Sequence, residues 1–410
     1  MNNMSAEKNV PAIRFEGFSG AWESCVLGDL GTVAMNKRVF KDQTSINGDV
    51  PFFKIGTFGN EPDAFITRKL FDEYKLKFPF PVKGDLLISA SGSIGRIVEY
   101  LGEDQYFQDS NIVWLKHNGN VENSFLKVFY SIVKWSGLEG STIKRLYNSN
   151  ILETAISIPK PEEQTKVGHY FQQLDTLIAQ HQQKHDKLLN LKKALLEKMF
   201  PKQGKTESEI QFIGFSVEWE QKALGILAHV VDPHPSHRAP NAVSQGVPFI
   251  GIGDISEDGK VDFSNVRIVS ARIYDEHSKR YAINEGDFAY GRVASIGKII
   301  DLSKNALSKY TYSPTMALVK PISVNPAYLK SYLKTEAFKD CVDNKTTGST
   351  RKSLGVEAFR NLPVFYPNNN EQQKKIGDLF KQFDTLIAQH KTQIKKLGHI
   401  KQACLDKMFV

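Results

Sequence analysis

The chain has 410 residues, 41% hydrophobic and 24% charged, with a net charge of +8 and a pI near 9.0. That length accommodates two to three domains, and the lack of any run of about 18 apolar residues excludes a membrane-spanning helix. The polar start Met1–Lys8 and an odd set of cysteines (Cys25, Cys341, Cys404) without CxxC spacing argue against export, a disulfide frame or a zinc site, so a reduced, cytoplasmic setting is expected.

Along the chain, Ile13-Arg-Phe-Glu-Gly-Phe-Ser19 with Trp22-Glu23 opens the first segment, and Val50-Pro-Phe52 with Ile55-Gly56 follows. Asp85–Ser89 and Ile97–Tyr100 predict strands. Gly, Asn and Asp between them supply turns, and Phe125–Val133 predicts a helix. From Gln164 to Phe200 a seam runs Val167, Phe171, Leu174, Ile178, His181, His185, Leu188, Lys192, Leu195, Met199. Its period of 3.5 predicts one long helix of coiled-coil type. Pro201–Ser208 is polar, stops that helix at its proline and reads as a linker.

The pattern then starts again. Ile210–Ser216 with Trp219-Glu220, and Val247-Pro-Phe249 with Ile252-Gly253, repeat the opening pieces. Strands are predicted at Phe288–Tyr290 and Lys298–Asp301, and a helix at Ala327–Cys341 opened by Asn325-Pro326. A second long helix covers Gln373–Phe409, with the seam Ile376, Phe380, Phe383, Ile387, His390, Ile394, Leu397, Lys401, Cys404, Met408. At an offset of 209 the two long helices share 20 of 37 residues, Asp175–His181 matching Asp384–His390 without a break. Ser93-Ile-Gly-Arg96 matches Ser295-Ile-Gly-Lys298, and Gly140-Ser-Thr142 with Lys144 matches Gly348-Ser-Thr350 with Lys352. The offset drifts from 197 to 209, so insertions fall in loops, and the segments between shared pieces differ almost completely.

The expected architecture is α+β: two similar mixed α/β domains separated by a long antiparallel two-helix coiled coil with a pseudo-two-fold axis. The boundaries are 1–160 for the first domain, 161–200 for the first helix, 201–209 for the linker, 210–368 for the second domain and 369–410 for the second helix. The antiparallel sense follows from connectivity if the helices pair along their length. About 38 residues make a rod of roughly 57 Å. B-DNA has the same two-fold symmetry, with major grooves about 34 Å apart on one face. Leu174, Ile178, His181, Leu188, Leu195, Phe383, Ile387, His390 and Leu397 are the seam and partner candidates.

The run Ile158-Pro-Lys-Pro-Glu-Glu-Gln164 followed by Val167, Leu174 and Asp175, the looser Tyr366–Gln373, the opening Phe15-x-Gly-Phe-x-x-x-Trp22-Glu23 and the Gly-Ser-Thr before each junction resemble the specificity subunits of type I restriction–modification enzymes over essentially the whole chain. The resemblance implies two target-recognition domains that read an asymmetric bipartite site in double-stranded DNA, no catalysis and no cofactor in this chain, and two methylating subunits as partners. S-adenosylmethionine is then expected only in those subunits, and restriction subunits join as further partners. The alternative is a protein-binding scaffold with two globular heads on a coiled-coil strut.

Enzyme-like motifs dissolve on comparing the halves. Phe249-x-Gly251-x-Gly253 looks like a methyltransferase cofactor turn, but the first half has Lys54 where Gly251 stands. Asn325-Pro-Ala-Tyr328 reads better as a helix start, and Gly204-Lys205-Thr206 lacks the earlier Gly of a phosphate loop. His229, His234 and His237 read as a solvated or DNA-facing loop rather than metal ligands. The DNA-contact candidates are three pairs of polar, basic loops: Lys37 and Arg38 with the loop of Arg238; Ser89, Ser91, Ser93 and Arg96 with Arg292, Ser295 and Lys298; and Thr142, Lys144 and Arg145 with Lys345, Thr350, Arg351 and Lys352. Gly lets backbone approach phosphate, Ser donates, and Arg can fork to guanine or phosphate.

Overall fold

The computed structural model describes residues 9–136, 145–202, 204–215, 219–234, 236, 238–256, 260–303, 308–348 and 352–410. They form two units, residues 1–180 with 394–410, and residues 181–393.

The first unit contains β1 (Glu23–Val26), β2 (Thr32–Met35), β3 (Val50–Phe53), β4 (Phe65–Ile66), α1 (Arg68–Lys77), β5 (Leu86–Ser89), β6 (Ile97–Glu99), β7 (Tyr106–Phe107), β8 (Ile112–Lys116), α2 (Asn123–Ile132), β9 (Ala155–Ile158) and the start of α3 (Pro161–Lys198). Its sheets have the orders β1-β9, β2-β8-β5-β6 and β4-β3-β7. All four residues of β5 are buried, which is why Leu86–Ile88 read as a short apolar run rather than an alternation.

The second unit continues with β10 (Glu220–Ala223), β11 (Ala228–Val231), β12 (Val247–Ile250), β13 (Arg267–Val269), α4 (Ala271–Ser278), β14 (Phe288–Gly291), β15 (Ile299–Asp301), β16 (Thr311–Tyr312), β17 (Met316–Pro321), α5 (Pro326–Tyr332), α6 (Glu336–Asp343), β18 (Pro363–Tyr366) and α7 (Asn370–Met408). Its sheets, β10-β18, β11-β17-β14-β15 and β13-β12-β16, repeat the first unit strand for strand. The parallel pair β3·β7 recurs as β12·β16. The helix predicted over Ala327–Cys341 is instead two, because the Thr335 hydroxyl accepts from Phe338 N and caps a new helix.

The duplicated residues are the ones that dock the long helices. Gln164 Oε1 accepts from Glu122 N at 2.9 Å and its Nε2 donates to Pro159 O at 2.9 Å. Gln373 does the same with Asn325 N and Pro367 O, both at 2.8 Å. One turn on, Gly168 and Gly377 lie against the start of the neighbouring helix. A Cβ on Gly168 would sit 2.2 Å from Ser124 Oγ, and one on Gly377 2.7 Å from Tyr328 N. Phe409 packs on Trp22, Phe125 and Phe171, and Phe200 packs on the counterparts Trp219, Tyr328 and Phe380.

Within each unit the long helices run antiparallel. In the first, Asp175 pairs with Lys401 at 2.5 Å and Tyr170 approaches Cys404. In the second, Lys192 pairs with Asp384, the equivalent contact under the repeat, and His181 Nδ1 lies 2.8 Å from His390 Nδ1. Leu174 and Phe383 are buried, while Ile178, His181, Leu188, Leu195, Ile387, His390 and Leu397 are half-buried. Among the described residues no helix is long and apolar enough to cross a membrane.

Candidate nucleic-acid interface

In the first unit the candidate loops gather around the turn Gln108–Asn111 between β7 and β8. Arg38 Nε donates to Asp109 Oδ2 at 2.5 Å. Arg145 Nη2 donates to Ser110 O at 3.1 Å and Ser110 Oγ at 2.9 Å. Ser91 Oγ donates to Asn111 Oδ1 at 2.8 Å, and Ala90 links Asn111 to Leu146 through its N–H and C=O. Lys37 is exposed, its carbonyl accepting from the buried Tyr106 hydroxyl at 3.0 Å.

The Ser89–Arg96 loop divides its work. Ser89 is 1% exposed; its hydroxyl donates to Ser93 O and accepts from Arg96 N, so it shapes the loop from inside. Ser93 and Arg96 are exposed, with one Arg96 nitrogen tied to Phe58 O at 2.7 Å. Gly95 has φ +78, and a Cβ there would meet Trp135 Nε1 at 2.8 Å.

Beside this cluster opens a cleft of about 670 Å³ whose walls include Arg38, Phe40, Lys41, Ile46 and Lys54. Phe40 and Ile46 are 57% and 83% exposed. Sequence reasoning missed Lys41, Lys54 and both apolar residues. Phe40, Lys41 and Ile46 lie in a stretch without a matched counterpart, Lys54 stands opposite Gly251 in the repeat and so shows no shared basic position, and exposure of an apolar side chain leaves no mark in sequence.

The second unit uses the equivalent turn, Ser313–Thr315 between β16 and β17. Arg292 N and Val293 N both donate to Thr315 O, and Ala294 N donates to Lys352 O at 3.4 Å. Ala294 has φ +62, the conformation that Gly92 adopts at the same place in the first unit. Ser295 is half-buried; Arg238, Lys345 and Lys352 are exposed.

Two of the basic candidates face inward. Arg292, 7% exposed, donates to Leu354 O at 2.8 Å and Pro314 O at 2.9 Å and pairs with Asp232 at 3.3 Å. Burial opposes its charge and Asp232 supports it. Lys298 Nζ donates to Ile252 O at 3.0 Å and Ile255 O at 2.5 Å. Both tie loops together from beneath. Thr142, Lys144, Thr350, Arg351 and His237 lie outside the described residues. Of the other two histidines, His229 is exposed, but His234 is buried, so the solvated-loop expectation is corrected at that position: its ring packs edge-on against Phe249. Among the described residues no group of three or more His, Cys, Asp or Glu is placed to hold a metal ion.

One α+β unit made twice, each copy carrying polar loops around the same turn and docked on a long helix, defines a duplicated recognition fold. The chain belongs to the family of the type I restriction modification DNA specificity domain, whose model matches residues 20–190 and 216–399. It is 53% identical over 152 residues to a putative type I restriction enzyme specificity subunit of Haemophilus influenzae, covering 37% of this chain and 40% of that protein. It is 26% identical over 200 residues to the putative MjaX specificity subunit of Methanocaldococcus jannaschii, covering 45% of each. The matches thus span less than half the length of these relatives. A crystal structure of the S subunit of a type I restriction-modification system from M. genitalium superposes with a TM-score of 0.56 at 14% identity, covering 98% of this chain and 99% of that one, a likeness of fold.

Proposed function

We propose that this chain is the non-catalytic sequence-reading subunit of a type I restriction–modification complex. Residues 1–160 and 210–368 each read one part of a bipartite double-stranded DNA site. The two long helices fix the gap between the parts and carry two methylating subunits, which hold the S-adenosylmethionine; restriction subunits join the same complex. The observation that carries the reading is the family match on both halves, each copy with polar and basic loops around its β7–β8 or β16–β17 turn.

The exposed candidates Lys37, Arg38, Ser93, Arg96, Arg238, Lys345 and Lys352, with Lys41 and Lys54, are the proposed DNA contacts. Half-buried Arg145 and Ser91, Ser295 and the inward Ser89, Arg292 and Lys298 shape the loops that present them. The proposal extends to Thr142, Lys144, Thr350 and Arg351 as members of the third loop pair.

The test is coexpression with the methylating partner and mapping of methylated adenines by long-read sequencing. A two-part motif with an unread gap is expected. A contiguous motif, or none beside a demonstrably active partner, overturns the reading. Seven residues added in register to α3 add about 10 Å, or roughly 3 base pairs at 3.4 Å each, so the gap should grow while both parts of the motif stay the same.

A further inference from the structure

His234 and His277 are 7% and 5% exposed and face one another beneath the Arg238 loop. His234 Nδ1 is 3.0 Å from His277 Nε2. His277 Nδ1 is 3.4 Å from the Tyr281 hydroxyl, and His234 Nε2 is 3.1 Å from the backbone oxygen of Arg238. A carbonyl only accepts, so His234 Nε2 carries the proton. Its Nδ1 is then bare and needs a proton on His277 Nε2. That leaves His277 Nδ1 bare, and the Tyr281 hydroxyl donates to it. With both rings neutral the chain of hydrogen bonds has one direction, from Tyr281 to the Arg238 carbonyl; a second proton on His277 would reverse the Tyr281 link and place a charge on a buried ring.

The first unit meets the same need with one residue. Tyr106, paired with Phe52, donates its hydroxyl to Lys37 O. The counterpart of Phe52 is Phe249, which pairs with Thr311. Threonine is too short to reach a loop, and its hydroxyl turns to Pro248 O. The two histidines fill the reach that a tyrosine fills in the other half. We propose that His234 and His277 are positioning residues for DNA reading at Arg238, holding its backbone through this one-way chain; the proposal rests on the DNA-reading function given above.

The titratable and charged groups around the pair are Asp232, Glu276, Arg280, Tyr281 and Arg292. Arg280 donates to Asp232 O, and Arg292 pairs with the Asp232 carboxylate. Burial, then His234 and Arg280, hold His277 down at about 4 against its ordinary 6.5, with Glu276 acting the other way. The folded value lies below the unfolded one. The neutral chain is therefore fully supported above pH 6.5 and progressively opposed as pH falls from 6.5 towards 4.

The test uses the full chain coexpressed with its methylating partner. His234→Phe keeps a ring and removes both hydrogen bonds, whereas His234→Gln restores a donor near the Nε2 position. His234→Phe should weaken base discrimination in the second part of the motif by roughly 10- to 100-fold, the worth of one good base contact, with the first part unchanged, and His234→Gln should recover most of it. Thermal stability of the second unit should fall as pH drops from 6.5 towards 4, and His277→Gln, which does not titrate, should flatten that profile. An unchanged second part in His234→Phe, equal loss in both parts, equal failure of the Phe and Gln variants, or a pH profile untouched by His277→Gln overturns the proposal. A wild type without a two-part motif would instead sink the function on which it rests.

Discussion

The same substitution in one helix should act with opposite signs at two glycines. Gly377 and Gly398 both lie inside α7. Replacing an exposed helical glycine by alanine gains about 0.8–1 kcal/mol from backbone entropy alone. At Gly398 a new Cβ meets nothing within 4 Å, so Gly398→Ala should stabilise by about that amount. At Gly377 the new Cβ would lie 2.7 Å from Tyr328 N, 2.8 Å from Ala327 Cβ and 3.0 Å from Ala327 C. Two of these are backbone atoms, so α5 must move. Overpacking of this kind costs about 1–3 kcal/mol, and straining the Gln373–Asn325 bond beside it adds about 1 kcal/mol. Against a gain of about 1 kcal/mol, the net loss is about 1–3 kcal/mol. At roughly 2–4 °C per kcal/mol for a unit of 150–250 residues, the second unit should melt about 2–12 °C lower. Calorimetry gives the shift, and hydrogen exchange on peptides from α5 shows where it falls. If Gly377→Ala raised the melting temperature as Gly398→Ala should, the docking argument would be refuted.

The remaining predictions concern the junctions and the interface. Gln373→Ala leaves the Asn325 N–H and Pro367 carbonyl without their partner, at about 1–3 kcal/mol each; urea unfolding of Gln164→Ala should show a like loss in the first unit. Ala294→Gly relieves a left-handed residue worth about 1–2 kcal/mol but frees the unfolded chain by about 0.4–1 kcal/mol. The net should therefore be neutral to about 1.6 kcal/mol stabilising, and a drop in thermal stability would contradict the strain. Arg292→Ala should unfold the second unit more readily by about 3–5 kcal/mol, the cost of breaking a buried charged network, whereas Lys41→Ala and Lys54→Ala should leave stability alone and each lower the salt slope of DNA binding by about 1. A stable Arg292→Ala with a reduced salt slope would reverse these roles. Burial and the His181 ring hold His390 below its usual 6.5, so the helix pair should lose stability as pH falls below that value; a denaturation midpoint flat from pH 7.5 to 5.5 would exclude this.

The fold was legible because the residues that dock the long helices occur twice. Gln164 and Gln373, Gly168 and Gly377, Phe200 and Phe409 each answer a contact that tolerates little change, and a repeat exposes such residues without any alignment of relatives. Periodicity marked the helix seam for a similar reason, since each turn must face the same partner. The candidate site was legible as loops but not as side chains. Arg96 and Lys298 occupy one position of the repeat, yet Arg96 is exposed while Lys298 caps two carbonyls. Basic residues look alike in sequence whether they meet solvent or a buried carbonyl, and the difference is set by the diverged segments around them. The break at Thr335 was hidden because helical periodicity continues on both sides of it.

The two halves show which constraints a recognition fold must keep. Each loop group rests on a carbonyl anchored from inside: Lys37 O by Tyr106 in one half, Arg238 O by His234 in the other. The anchor is retained as a function while its chemistry changes. The framework can stay fixed because each unit has its own core around its own long-helix end, so a change in one loop group does not repack the other. That independence predicts how the interface responds to exchange. Replacing Thr311 with Tyr, together with His234→Ala to clear space, should restore a donor to the Arg238 carbonyl and with it the reading of the second part of the motif, while the first part stays as it was. Loss of both parts together would mean that the loops are coupled through the framework, and the separation argued from the duplicated contacts would fail.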